Sequence, residues 1–189
     1  MAENREVILS AALELWVDRG YEAVGVQQIC TDAQVTKPTL YHYFGSKAGL
    51  LRAIVDLNDR RLAEFVPSQS FDPSDVPGSI ERVCVGWLGY VEAYPRLARL
   101  FISHYYGPRG SKAATVAGQQ QGRWIGRLEC FFNAAAEFHG NLRNRARAYA
   151  ASFAGLLLTY GFLAVNGADP LQRDLPYVIS KQFMYGIFS

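Results

Sequence analysis

Between Val35 and Lys47 the chain reads VTKPTLYHYFGSK, a run of lysine, threonine, tyrosine and histidine side chains around one proline. Lys37 and Thr39 flank Pro38 at the start of a short helix. There a lysine can donate to guanine and a threonine methyl can meet thymine. Tyr41, His42 and Tyr43 follow, with flat apolar bodies and polar tips that can lie along a polyanion and bond phosphate oxygens. Ser46 and Lys47 open another helix, whose first amides favour a phosphate. These types suit hydrogen bonding to a nucleic acid rather than the making or breaking of bonds. The competing reading is an ordinary helical hairpin with the aromatics packed as core.

The elements that must hold these side chains are helical. Thr36 can cap the helix of Lys37–Phe44, and Pro38 sits in its first turn, where no amide is needed. Leu40, with Ile29 and Val35, forms the face that anchors it. A preceding helix at about Val26–Ala33 is joined to it through Gln34, Val35 and Thr36, which is the spacing of a helix-turn-helix. A first helix, Glu3–Arg19, carries an apolar stripe through Val7, Ile8, Ala11, Ala12, Leu15 and Trp16, and Gly20 ends it. A fourth runs from Ser46 to about Val66. The loop VPSQSFDPSDVPGS follows. Further helices are expected at about Gly78–Ala93, Pro95–Tyr106, Ala117–His139, Asn141–Asn166 and Leu175–Ile187, with NLRNRARA running into the Asn141 helix without a break. The fold class is all-α with about nine helices.

Composition limits the alternatives. The chain has 189 residues, 50% apolar and 19% charged, with a formal charge of +2. This supports a packed core and announces no bulk affinity for nucleic acid. Residues 1–60 carry six Lys or Arg against eight Asp or Glu, so affinity for DNA must come from a few placed contacts, doubled in a dimer. His42, His104 and His139 are far apart, and no H-E-x-x-H, G-x-S-x-G or phosphate loop occurs. YYGPRGSK lacks the Walker spacing. Catalysis, a metal and a cofactor are therefore not expected. The N-terminus carries acids and no long apolar run, and Cys30, Cys84 and Cys130 form no C-x-x-C pair, so reduced thiols and a cytoplasmic location follow. A thiol redox sensor is the alternative function; a helical enzyme ranks below it.

From Ala148 to Ala168 no residue is charged. Length alone makes this a candidate membrane span. Its Ala, Gly, Ser and Tyr content, without a second such segment, favours a helix held between its own core and a partner subunit. One stripe runs through Leu142, Ala146, Tyr149, Phe153, Leu157 and Tyr160, a second through Ala148, Ala151, Gly155, Leu158 and Phe162. A homodimer through helices 141–166 and 175–187 and no membrane are expected.

The segments AALELWVDRGYEAVGVQQIC and AQVTKPTLYHYFGSKAGLL, within Ile8–Ala53, resemble TetR-type (TetR/AcrR) transcriptional regulators. The specific core is Thr39, Leu40, Tyr41, Phe44, Ser46 and Lys47. The resemblance implies a three-helix DNA-binding domain, residues 1–47, and a helical ligand-binding and dimerisation domain, residues 48–189, with helix 48–66 connecting them. It implies base contacts from Gln27, Lys37, Pro38 and Thr39 and phosphate contacts from Tyr41, His42 and Lys47. Two positions depart from the family pattern. Gly25 stands where Thr or Ser usually caps the second helix, and Gln34 where the turn usually holds Gly. The function expected is a ligand-responsive repressor released from a palindromic, double-stranded operator by a small apolar or aromatic molecule. The aromatic density points to an apolar cavity lined by Trp87, Phe101, Tyr105, Trp124, Phe131 and Phe153, with His104, Tyr105 and Trp124 as orienting polar tips.

Overall fold

The computed structural model describes residues 2–105, 111–167 and 174–186, apart from the side chains of Ala2, His104 and Tyr105. The described residues hold nine α-helices and two short 3-10 turns, and no strand occurs among them. The chain divides into two compact units, residues 1–60 with 96–118, and residues 61–95 with 119–189.

In the first unit α1 (Ala2–Arg19) buries Ile8, Leu9, Ala11, Ala12 and Trp16. Gly20 closes it at φ 83°, its amide bonded to the Trp16 carbonyl. α2 (Val26–Asp32) and α3 (Lys37–Phe44) lay Ile29, Cys30 and Leu40 against that face. α4 (Lys47–Phe65) buries Leu50, Leu51, Ile54 and Val55 at helical spacing. Ser46 caps it, its hydroxyl accepting from the Gly49 amide at 3.0 Å.

α5 (Val76–Ala93) belongs to the second unit. It starts at Asp75, whose carboxylate accepts from the Gly78 amide at 2.9 Å, with Pro77 in the first turn. Its apolar face carries Val83, Trp87 and Val91. Gly86 lets the end of α4 come close: a Cβ at this position would stand 2.3 Å from the Phe65 carbonyl oxygen. α6 (Pro95–Tyr105) groups with the first unit from Arg96 onward, as does the start of α7 (Lys112–Ala135). The Arg96 guanidinium bonds Glu14 and lies 3.9 Å from Asp18, and the Lys112 amide donates to Glu22 at 3.1 Å. α8 (Ala146–Val165) and α9 (Leu175–Tyr185) pack on α5 in the second unit.

Several boundaries differ from the sequence reading. α7 begins at Lys112 rather than Ala117 and ends at Ala135. The expected helix from Asn141 is interrupted. Gly140–Leu142 form a 3-10 turn, and α8 starts at Ala146. The cause is Asn144, which takes the left-handed conformation at φ 61°; this ends a right-handed run and is tolerated by Asn better than by most residues. α9 ends at Tyr185, and Gly186 turns the chain at φ 71°. Tyr106 and Ile187 lie outside the described residues.

Candidate nucleic-acid interface and effector site

The local chemistry of Gln34–Gly45 holds α3 in place. Gln34 adopts φ 53°, the left-handed turn for which glycine would be free of strain; another residue there costs about 1 kcal/mol. The Val35 amide then returns to the Cys30 carbonyl at 2.9 Å. Thr36 is extended, and its hydroxyl accepts from the Thr39 amide at 3.3 Å and meets the Thr39 hydroxyl at 2.8 Å. Gly45 ends the helix at φ 70°. At α2, Gly25 has no side chain to cap with. Only the return bond of a capping box is present, from the Gly25 amide to Gln28 Oε1 at 2.9 Å.

This scaffold leaves Gln27, Lys37, Pro38 and His42 exposed and Tyr41 46% exposed, with Thr39 half-buried. Leu40 is fully buried beneath them, so one face of α3 anchors and the other is free to reach a groove. His42 and Tyr43 stand edge to face, ring centres 5.3 Å apart. Lys47 is differently placed. Its ammonium donates to the Tyr21 carbonyl at 2.5 Å and lies 4.1 Å from the centre of the Tyr21 ring. Partial burial holds this lysine below its ordinary pKa. In this position Lys47 ties the start of α4 to the segment after α1.

The residues assigned to a cavity fall in both units. Phe101, in the first, lines with Trp16, Tyr21, Leu51 and Leu100 a cavity of about 10 Å³, room for one water molecule. The Trp16 indole N–H is buried, with no hydrogen-bond partner among the described residues. In the second unit Trp87 stacks on Trp124 with ring centres 6.3 Å apart, and its indole donates to the Leu157 carbonyl at 2.9 Å. Phe71 joins them, 6.5 Å from Trp124 and 5.6 Å from Phe131. Phe153 packs on Phe183 at 4.7 Å. His104 and Tyr105, the expected polar tips, lie outside the described side chains.

The sequence reading did not single out Arg127. Its guanidinium carbon sits 4.6 Å from the Phe71 ring centre and 6.0 Å from that of Trp124. Burial alone depresses its pKa. Trp124, Arg127 and Phe131 recur at i, i+3 and i+7 on one face of α7, a pattern that RWIGRLECFF carries in plain view. No group of His, Cys, Asp and Glu able to hold a metal occurs among the described residues.

Residues 8–54, which span α1 to the first turns of α4, match the family model described as bacterial regulatory proteins, tetR family. The chain carries the TetR-family DNA-binding domain. Over 184 residues it is 26% identical to the HTH-type transcriptional activator FasR of Mycolicibacterium smegmatis, covering 97% of this chain and 82% of that one. Among solved structures, AibR in complex with isovaleryl coenzyme A and operator DNA superposes with TM-score 0.69 at 23% identity, covering 94% of each chain. FadR of Bacillus subtilis in complex with stearoyl-CoA does so with TM-score 0.72 at 15% identity, over 96% of this chain and 98% of that one. The TetR-type fold therefore extends over both units, and the protein is a DNA-binding transcriptional regulator.

Proposed function

We propose that this TetR-type regulator binds a two-fold symmetric operator as a homodimer, represses from it, and is released by an acyl compound. The observation that carries the reading is α3. Its entering end presents Lys37, Pro38 and Thr39 from a capped helix anchored by Leu40. Lys37 and Thr39, with Gln27, read base edges, while Tyr41 and His42 grip phosphates. Lys47 donates one of its three ammonium N–H groups to the Tyr21 carbonyl, which holds the start of α4 and leaves the other two for a phosphate. No catalytic step and no metal or cofactor is assigned.

The dimer reading rests on α8. It is long and apolar enough to cross a membrane, and only 33% of its apolar window is buried in the chain. Its inner stripe, Ala146, Phe153 and Leu157, is core, whereas Ala148, Ala151, Gly155 and Phe162 are exposed. The corrected helix, Ala146–Val165, with α9 supplies two helices from each subunit to a four-helix interface. A cytoplasmic protein, without a membrane, follows.

The functional division at residue 47, with α4 as connector, is retained as part of this proposal. The effector is an amphipathic acyl molecule held by the aromatic residues of the second unit; the acyl-CoA complexes of AibR and FadR support that class. Release works by population shift, limited by the ligand's differential affinity for the two states. About 3 kcal/mol of coupling gives a hundredfold loss of DNA affinity. α4 and α6 are its route, α6 being tied to α1 through Arg96, Glu14 and Asp18. The experiment selects duplexes from a random pool and then adds acyl-CoA. Recovery of an inverted repeat and its release by ligand support the reading. A pool without enrichment rejects the operator, and an enriched duplex that no acyl compound releases rejects the effector class.

A further inference from the structure

We propose that Arg127 is an anion anchor, holding the phosphate or carboxylate of an acyl ligand whose apolar body lies against the half-buried Phe71 and Trp124 rings. The inference rests on the acyl-effector reading above and names the group that would set ligand polarity. Arg127 forms no ion pair and no hydrogen bond among the described residues; its contacts are the faces of Phe71 and Trp124. Elsewhere Arg5, Arg61, Arg82 and Arg96 each meet a carboxylate at their surface positions. Arg127 is half-buried instead, and among the described residues no acid side chain offsets the loss of its water.

A desolvated guanidinium without a counter-ion is costly, and it binds an oxyanion more strongly than an exposed one does. Its planar fork fits both a phosphate and a carboxylate through paired N–H donors. The rings beneath it, Phe71 and Trp124, complete an amphipathic site, with Trp87 buried behind Trp124 at 6.3 Å between ring centres. Trp87 is bonded through its indole N–H to the Leu157 carbonyl, so it backs the Trp124 ring. The ligand class is an acyl chain ending in an oxyanion. Free fatty acids and acyl-CoA thioesters share that chemistry.

The test is calorimetric titration of the parent, Arg127→Gln and Arg127→Lys with octanoyl-CoA, octanoate and neutral 1-octanol, at low and high salt. Thermal melts and far-UV dichroism accompany each variant, to separate binding from folding. The expected result for Arg127→Gln is a tenfold to hundredfold loss of affinity for the anionic ligand, from loss of a charged hydrogen bond. Its affinity for 1-octanol is unchanged, and its binding no longer depends on salt. Arg127→Lys recovers part of the loss. The weakened ligand tells the sources apart: octanoyl-CoA alone points to phosphate, octanoate alone to carboxylate. Equal affinities of parent and Arg127→Gln for both anions, at every salt concentration, overturn the anchor and leave the acyl reading standing. A parent that binds neither anion overturns both.

Discussion

Gly155→Arg separates a dimer face from a core face on α8. In the chain a Cβ at Gly155 would meet nothing within 4 Å, so the substitution has room. Replacing a glycine inside a helix even adds about 0.5–1 kcal/mol of local stability. In the proposed dimer the same position faces a second copy, beside exposed Ala148, Ala151 and Phe162. A guanidinium desolvated there without a partner costs about 3–5 kcal/mol. That raises the dissociation constant roughly two to four orders of magnitude. Sedimentation equilibrium over a range of chain concentrations, with thermal melts of the same samples, measures both effects. The variant should be a folded monomer, with undiminished helical signal, at concentrations where the parent is a dimer. A variant that sediments as the parent does refutes the interface, and an unfolded variant refutes the free space around Gly155.

Three further perturbations probe other levels of the account. Gly86→Ala places a methyl 2.3 Å from the Phe65 carbonyl oxygen; after the helix-propensity gain a net loss of about 1–2 kcal/mol remains, and the melting temperature should fall, whereas a rise contradicts the close approach. Thr36→Ala removes the α3 cap and should cost about 1 kcal/mol, with Thr36→Ser restoring most of it in the same melts. Burial pushes the Cys84 thiol up to about 12 from 9.0, while Cys130 is exposed. At pH 8 a thiol reagent should therefore label Cys130 quickly and Cys84 only on unfolding. A folded pKa above the unfolded one means that Cys84 contributes stability below about pH 9 and loses it as pH rises towards 12. The parent's alkaline loss should exceed that of Cys84→Ala over that range. Fast labelling of Cys84 in the native chain would reopen the thiol-sensor alternative.

The proposed DNA-reading helix, Lys37–Phe44, was legible because its signals are local. Thr36, Pro38 and Gly45 lie within one helix of each other, and each acts through the backbone of near neighbours. The left-handed turn at Gln34 was visible only against the glycine expected there. The two stripes of α8 separated inner from outer residues, except that Leu158 on the outer stripe is buried. The break before α8 was not legible, since it rests on one asparagine and no Pro or Gly marks it. The Tyr21 tie of Lys47 and the ring contacts of Arg127 were not legible, for a different reason. Lys47 bonds a carbonyl 26 residues away, and Arg127 lies over Phe71 from a different segment. Neither pairing has a period or a motif. The aromatics were correctly seen as numerous, but helix phase could not tell that Phe101 groups with one unit and Trp87, Trp124 and Phe131 with the other.

The central claim is that α3 reads the operator, and the most direct measurement compares the parent with Lys37→Ala on the selected duplex and on its single-base variants. Lys37→Ala should lose about 1–3 kcal/mol on the selected sequence and become indifferent to one base pair in each half-site. Its ranking of the other positions should stay as in the parent. If Lys37→Ala keeps the parent's affinity and its full ranking of base substitutions, the entering end of α3 does not read sequence and the account is wrong.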